Sequence, residues 1–157
     1  MTMDLKTFFE KNNVHYHIIE KPETIHTADS ALKAGLDLNR VTKSLVFLGK
    51  TKHPLIVIIP GNCKADFKKV QQAAGSKVHL VPFNDAEQYS GYEPGATPFV
   101  HHKTKIKVFI DKKLRKYDKI FSGDGTRTTL LEMKTEDVIK LNNAQITDLT
   151  EDNASVA

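Results

Sequence analysis

The sequence predicts an α+β domain built on a mixed sheet. Apolar runs with the two-residue period of strands are interleaved with segments of helical period. Several strands nevertheless follow one another through short turns, as Val41–Leu48 and Leu55–Ile59 do across a lysine-containing Gly49–Pro54 turn. A tight turn joins antiparallel strands, so a purely parallel sheet does not fit. A chain of 157 residues is long enough for one sizeable core. Residues 1–150 are expected to form one domain, followed by a polar tail over 151–157.

Asp4 can cap a first helix that carries Leu5, Phe8 and Phe9 on one face and ends at Asn12-Asn13. Val14 to Glu20 alternates Val14, Tyr16 and Ile18 against His15 and His17, the pattern of a half-buried strand, and Lys21-Pro22-Glu23 breaks it. Thr27 is placed to cap a second helix, with Asp29 in its first turn and Gly35 at its end. Asp37 to Arg40 reads as a one-turn connector.

Val41–Leu48 is the centre of the prediction. Alternation sends Lys43, Leu45 and Phe47 to one face and Ser44, Val46 and Leu48 to the other. Both faces are apolar beyond Ser44, as in a strand covered on both sides. Lys43 then lies at the mouth of a buried strand and must reach water, an anion or a ligand, because an unpaired buried ammonium is costly. Leu55–Ile59, closed by Pro60-Gly61, is expected to pair with it as a central strand.

Asp66 can cap a helix with Phe67, Val70 and Ala74 spaced for burial and Gly75 at its end. Lys77 to Val81 reads as a strand, and a short helix from Asn84 or Asp85 stops at Gly91. The stretch Gly91-Tyr92-Glu93-Pro94-Gly95-Ala96-Thr97-Pro98-Phe99 is too rich in Gly and Pro for a regular element. Lys107–Asp111 and Lys119–Ser122 are expected strands around a short basic helix. The loop Gly123-Asp124-Gly125-Thr126-Arg127 leads into a strand over Thr128–Met133. Thr135, with Glu136 and Asp137 behind it, caps a last helix through Leu141, and Gln145–Leu149 is a final short strand.

No apolar run approaches the roughly 20 residues of a membrane helix, and Met-Thr-Met-Asp-Leu-Lys has none of the apolar character of a signal peptide. The single cysteine, Cys63, rules out an intramolecular disulfide, which fits a reducing cytoplasm. A net charge of +4 permits a polyanionic partner such as RNA. The basic segment from His101 to Lys116, interleaved with Ile106, Val108, Phe109 and Ile110, reads as a solvated surface or as a groove for nucleic-acid backbone. Adjacent His101 and His102 on an extended segment would face opposite ways, a poor start for a metal site. Cys63 has no local base pattern for a nucleophile. Gly123-Asp124-Gly125 departs from the dinucleotide fingerprint, which needs a third glycine and a strand-to-helix turn.

Three stretches, in order, carry a resemblance: Val41-Thr42-Lys43-Ser44-Leu45-Val46-Phe47; Gly91-Tyr92-Glu93-Pro94-Gly95 with Pro98-Phe99; and Gly123-Asp124-Gly125-Thr126-Arg127. From about Leu5 to Thr150 the chain resembles the YbaK / prolyl-tRNA synthetase-associated editing domain family. The resemblance implies a mixed-sheet core partly closed like a barrel, with helices around it. It implies hydrolysis of the ester of a mischarged tRNA, most often one for proline, by a domain that is either trans-acting or fused; without a synthetase domain, this chain is expected to act in trans. The implied partner is the tRNA acceptor end, with an aminoacyl-tRNA synthetase as a second candidate, and no cofactor is implied; the residue pattern itself calls for neither a metal nor a membrane. Lys43 matches the signature pocket lysine, with Ser44 beside it, and Gly91, Pro94 and Gly95 match the amino-acid pocket loop. Gly123, Asp124, Gly125 and Arg127 match another wall, and Thr27 a position near the pocket mouth. Ser122 stands where some members carry His or Ser. A tyrosine that some members carry late in the first strand region has no counterpart in Ile19-Glu20-Lys21.

Ester hydrolysis needs a positioned carbonyl, donors for the developing oxyanion and an activated water. Lys43 can hold a terminal phosphate or ribose edge as a point charge. The backbone N–H groups of Gly95 and Ala96 can serve as oxyanion donors, because glycine admits close approach of a ligand. Pro94 and Pro98 stiffen the loop. Among the three motifs only Glu93 and Asp124 are carboxylates, so water activation is assigned to the substrate's own hydroxyl or amine. The alternative is a non-catalytic module that binds tRNA ends or nucleotides in the same pocket.

Overall fold

The structure, a computed structural model, describes residues 4–103 and 106–152. Thr104 and Lys105 of the basic segment, and the tail beyond Asp152, lie outside the described residues.

Among the described residues five α-helices, α1 (Leu5–Asn12), α2 (Thr27–Ala34), α3 (Phe67–Ala74), α4 (Glu87–Ser90) and α5 (Thr135–Asn142), accompany eight strands. The strands are β1 (Tyr16–Glu20), β2 (Thr42–Gly49), β3 (Pro54–Pro60), β4 (Val78–Leu80), β5 (Lys107–Asp111), β6 (Lys119–Gly123), β7 (Thr129–Lys134) and β8 (Gln145–Thr147). They form two sheets, one ordered β1-β7-β6 and one ordered β4-β2-β3-β5-β8. The first is antiparallel throughout. In the second, β2 pairs antiparallel with β3 and β4, whereas β3–β5 and β5–β8 are parallel. The mixed-sheet expectation holds, and β3 is the central strand. The sheets meet at one corner, where Val41 bridges Phe121 and the Thr42 hydroxyl donates to the Phe121 carbonyl at 2.9 Å. They curve toward a barrel there without closing into one.

Alternation along β2 and β3 explains the two cores. Val46, Ile56 and Ile58 face the three-stranded sheet and pack with Ile120, Leu131 and Met133. Phe47, Leu55, Val57 and Ile59 face the other way, onto Val70 of α3 and Leu149. Coverage on both faces is what the continuous apolar run of β3 requires.

Local signals read well at some ends and fail at others for identifiable reasons. Asp4 and Asp66 cap α1 and α3, accepting from Thr7 N and Lys69 N. Strand β1 starts at Tyr16 instead of Val14, because the Val14 N–H is spent on Phe9 O at the end of α1. Thr27 and Thr135 are first helical residues, not caps; the cap positions fall to His26 and Lys134, whose side chains make no capping bond. The Thr135 hydroxyl donates instead to the Tyr117 carbonyl at 2.6 Å. Phe67, expected in the core, is half exposed and meets Phe47 edge-on at 5.6 Å. The last strand stops at Thr147, since the Leu149 N–H turns to the buried Asp111 carboxylate at 2.8 Å.

Candidate active site

The Gly-Pro loop follows α4, which ends at Gly91 with a φ of 89°. With no strand partner, its polar backbone must be satisfied by side chains and neighbouring loops. The Arg127 guanidinium donates to Pro94 O at 2.7 and 3.2 Å, with Glu93 3.6 Å away. The Gly125 N–H donates to Ala96 O, and Asn142 to Phe99 O. The Ser122 hydroxyl, fully buried, accepts from Phe99 N and donates to Gly123 O. These bonds clamp the second glycine loop onto the Gly-Pro loop.

A cavity of about 400 Å³ opens where these loops face the start of β2 and the N-terminus of α2. Lys43, Ser44, Thr27, Pro94, Gly95 and Gly123 line it. Gly91, Ala96, Ser122, Asp124, Gly125 and Arg127 do not; apart from Gly91 and Asp124 they hold the wall from behind through the bonds above. Asp124 instead folds its own loop, accepting from Thr126 N and Oγ1 at 3.1 Å. Of the two expected oxyanion donors, the Ala96 N–H is already engaged with Glu93 O at 3.1 Å. The Gly95 N–H makes no hydrogen bond with a described residue.

Lys43 is half-buried, and its ammonium makes no hydrogen bond or ion pair with a described residue. Burial lowers its pKa below the ordinary lysine value; Cys63 opposes that shift and Lys64 reinforces it. Ser44 Oγ is shielded from water and has no hydrogen-bond partner among the described residues.

Lys21 escaped notice in the sequence, where it reads as part of a strand break. Its side chain is buried and donates to Thr24 Oγ1 and Arg127 O, both at 2.6 Å. Thr24 in turn meets Ser30, which borders the cavity, at 2.6 Å. One lysine thus ties the segment before α2 to the second glycine loop, across opposite sides of the site. His26, Ile25, Leu80 and Phe83 also line the cavity and were missed; nothing in the local pattern marks them.

Other candidates are occupied elsewhere. The buried Cys63 thiol lies 3.6 Å from Asn62 Oδ1, and burial raises its pKa, which suits an inert thiol better than a nucleophile. His101 has a φ of 63° and stacks on Phe8 at 4.5 Å, so the pair is not on an extended segment. His102 Nε2 bonds Pro98 O at 2.8 Å. No group of three or more metal-binding side chains occurs among the described residues.

Burial pushes His102 down to about 4, with the Pro98 carbonyl opposing and His101 reinforcing the shift. An unfolded histidine titrates near ~6.5. The unfolded chain therefore accepts a proton that the native state refuses, and stability falls as pH drops from about 6.5 toward about 4. His102→Gln is expected to remove about 2–3 kcal/mol of that fall. Urea midpoints at neutral pH and at the lower end of the window check it; an unchanged pH dependence would rule it out.

A profile of the aminoacyl-tRNA editing domain matches residues 21–141. EbsC of Enterococcus faecalis, by name a candidate Cys-tRNA(Pro)/Cys-tRNA(Cys) deacylase, is 29% identical over 117 residues, covering 74% of this chain and 71% of its own. The proline–tRNA ligase of Limosilactobacillus fermentum is 30% identical over 96 residues, 57% of this chain and 17% of the ligase. A crystal structure described as a candidate trans-editing enzyme for prolyl tRNA synthetase has a TM-score of 0.84 at 23% identity, covering 94% of each chain. The hypothetical protein APE2540 reaches 0.88 at 22% identity, over 94% of this chain and 99% of that one. These two structures share the fold. With three motifs gathered at one cavity and the profile spanning most of the sequence, the chain belongs to the family of aminoacyl-tRNA editing domains of the YbaK / prolyl-tRNA synthetase-associated type.

Proposed function

We propose that this chain is a trans-acting deacylase that hydrolyses the ester of a mischarged tRNA, with tRNA(Pro) as the preferred acceptor. The observation that carries the reading is the half-buried ammonium of Lys43, without a hydrogen bond or ion pair among the described residues, on the wall of a cavity also lined by Gly95, whose N–H makes no hydrogen bond with a described residue. A lysine held this way is costly unless an anionic or strongly polar ligand completes it. Lys43 anchors the terminal phosphate or ribose edge. The Gly95 N–H faces the ester carbonyl and stabilises the oxyanion as the tetrahedral intermediate forms. No carboxylate lines the cavity among the described residues. Water is activated by the substrate itself, oriented by the neighbouring ribose hydroxyl or deprotonated by the α-amine. The remaining wall, with Val46, Val81 and Leu130, accepts a small side chain.

The similarity to EbsC and to the proline–tRNA ligase supports the choice of acceptor, and the likeness to free-standing relatives over most of their length supports action in trans. The catalytic unit is one domain over residues 1–150, working in the cytoplasm alone or beside a synthetase. No described helix is long and apolar enough to cross a membrane. The test is turnover of purified tRNA(Pro) charged with alanine, and separately with cysteine. Release of free amino acid well above the spontaneous rate is the expected result, with binding that weakens as salt rises. Saturable binding with no release would assign the pocket to a non-catalytic module.

A further inference from the structure

Six large apolar side chains are conspicuously exposed among the described residues, and three of them, Ile25, Leu80 and Phe83, stand around this one cavity. They come from three separate segments: the loop before α2, the end of β4 and the 3₁₀ turn after it. Phe83 keeps 48% of its surface in water. Its ring centroid lies 6.0 Å from that of His26, tilted by 38°. His26 occupies the cap position of α2 yet makes no capping bond, and its ring has no hydrogen-bond partner among the described residues. Both residues are exposed, and α2 draws no capping bond from the imidazole.

We propose that Phe83 and His26 form the seat of the terminal adenine of the tRNA, with Phe83 as the stacking face. The inference rests on the deacylase reading of the cavity. The chemistry of the substrate makes the connection. The scissile ester joins the amino acid to the ribose of the last nucleotide. An amino acid held inside the cavity therefore brings a nucleoside to its mouth, one ribose away. A base needs an apolar face for its π surface and polar atoms at its edge. The mouth supplies both: the exposed ring of Phe83, flanked by Ile25 and Leu80, and the free ring nitrogens of His26. Lys43 lies on the same cavity wall, where it meets the phosphate or ribose edge of that nucleotide. The rim thus selects for a nucleoside ester over a simple amino-acid ester, which the cavity alone would not.

The chain has no tryptophan, so Phe83→Trp introduces a single indole reporter at the seat. Titration with AMP should quench its fluorescence saturably, while ribose 5-phosphate, which lacks the base, should leave it unchanged. In steady-state assays on mischarged tRNA, Phe83→Ala should raise KM by about 5- to 100-fold, the range for loss of one stacked base, with kcat within about two-fold. Phe83→Tyr should restore KM, and Phe83→Leu should not, because leucine keeps the apolar area but offers no ring. Thermal melts of these surface variants should match the wild type. Quenching by ribose 5-phosphate as strong as by AMP, full rescue by leucine, or an unchanged KM in Phe83→Ala would each overturn the assignment. These outcomes are separable from failure of the deacylase reading. Wild-type turnover tests that reading directly, and the AMP titration reads base binding without any turnover.

Discussion

Lys43→Ala is expected to lower deacylation of mischarged tRNA at least 100-fold and, at the same time, to leave the fold as stable as before or more so. The two effects have one cause. The ammonium is half-buried with no hydrogen bond or ion pair among the described residues, and burial lowers its pKa. The folded state therefore holds the proton less tightly than the unfolded chain does. Stability rises with pH from the lowered value up to the ordinary lysine range, and at neutral pH the charged group is a net burden. Removing it relieves that burden. The same removal leaves the terminal phosphate or ribose edge without its proposed anchor, and a reacting ester misplaced by about 1 Å loses about 10²-fold in rate. Single-turnover deacylation and a thermal melt on the same preparation check both halves. Full activity in Lys43→Ala would refute the anchoring role; a collapsed melt would show the lysine to be structural.

Gly95→Ala is expected to damage both stability and activity, through the wall of the cavity. Gly95 has a φ of +87°, a conformation costly for L-residues by about 1–2 kcal/mol. A Cβ there would sit 2.4 Å from the Ile25 carbonyl oxygen, which is backbone and has no free rotation to escape. Either the Gly-Pro loop or the segment before α2 must move, and both line the cavity. The Gly95 N–H would lose the placement that the proposed oxyanion role requires. We expect about 2–3 kcal/mol of destabilisation, within the range for strain at a special backbone position, and a fall in kcat of at least ten-fold. Chemical denaturation and single-turnover rates measure these separately. A variant with wild-type kcat would remove the backbone of Gly95 from the chemistry. Gly123 belongs to the same contact zone, since a Cβ there would lie 2.6 Å from the Ala96 backbone.

The sequence carried most of the fold because the signals involved are local. Helix ends depend on a residue within a turn or so of the end, so Asp4, Asp66, Gly35, Gly75 and Gly91 could be read directly. The alternation that placed Lys43 and Phe47 opposite Ser44 and Val46 is a two-residue property of any strand, and it predicted two cores before either was seen. Threonine misled twice. Thr27 and Thr135 have the side chain of a cap, but tertiary contacts drew the second to the Tyr117 carbonyl and the helix register put both one position inside.

By itself, then, the sequence determined the order of elements, the mixed sheet and the motifs that carry the family, because each follows from a short-range period, a cap or a run of neighbouring residues. Only the tertiary structure decided how the site is assembled. Lys21 reaches the Arg127 carbonyl across 106 positions of chain, and the Thr42 hydroxyl reaches Phe121 across 79. It also showed that the Ala96 N–H is engaged by Glu93 while that of Gly95 is not, and that His26 and Phe83 share the cavity mouth. Hydrogen bonds and ring contacts formed across such separations leave no period in the chain. They are set by which loops the two sheets bring to the same corner, and that is a property of the packed fold alone.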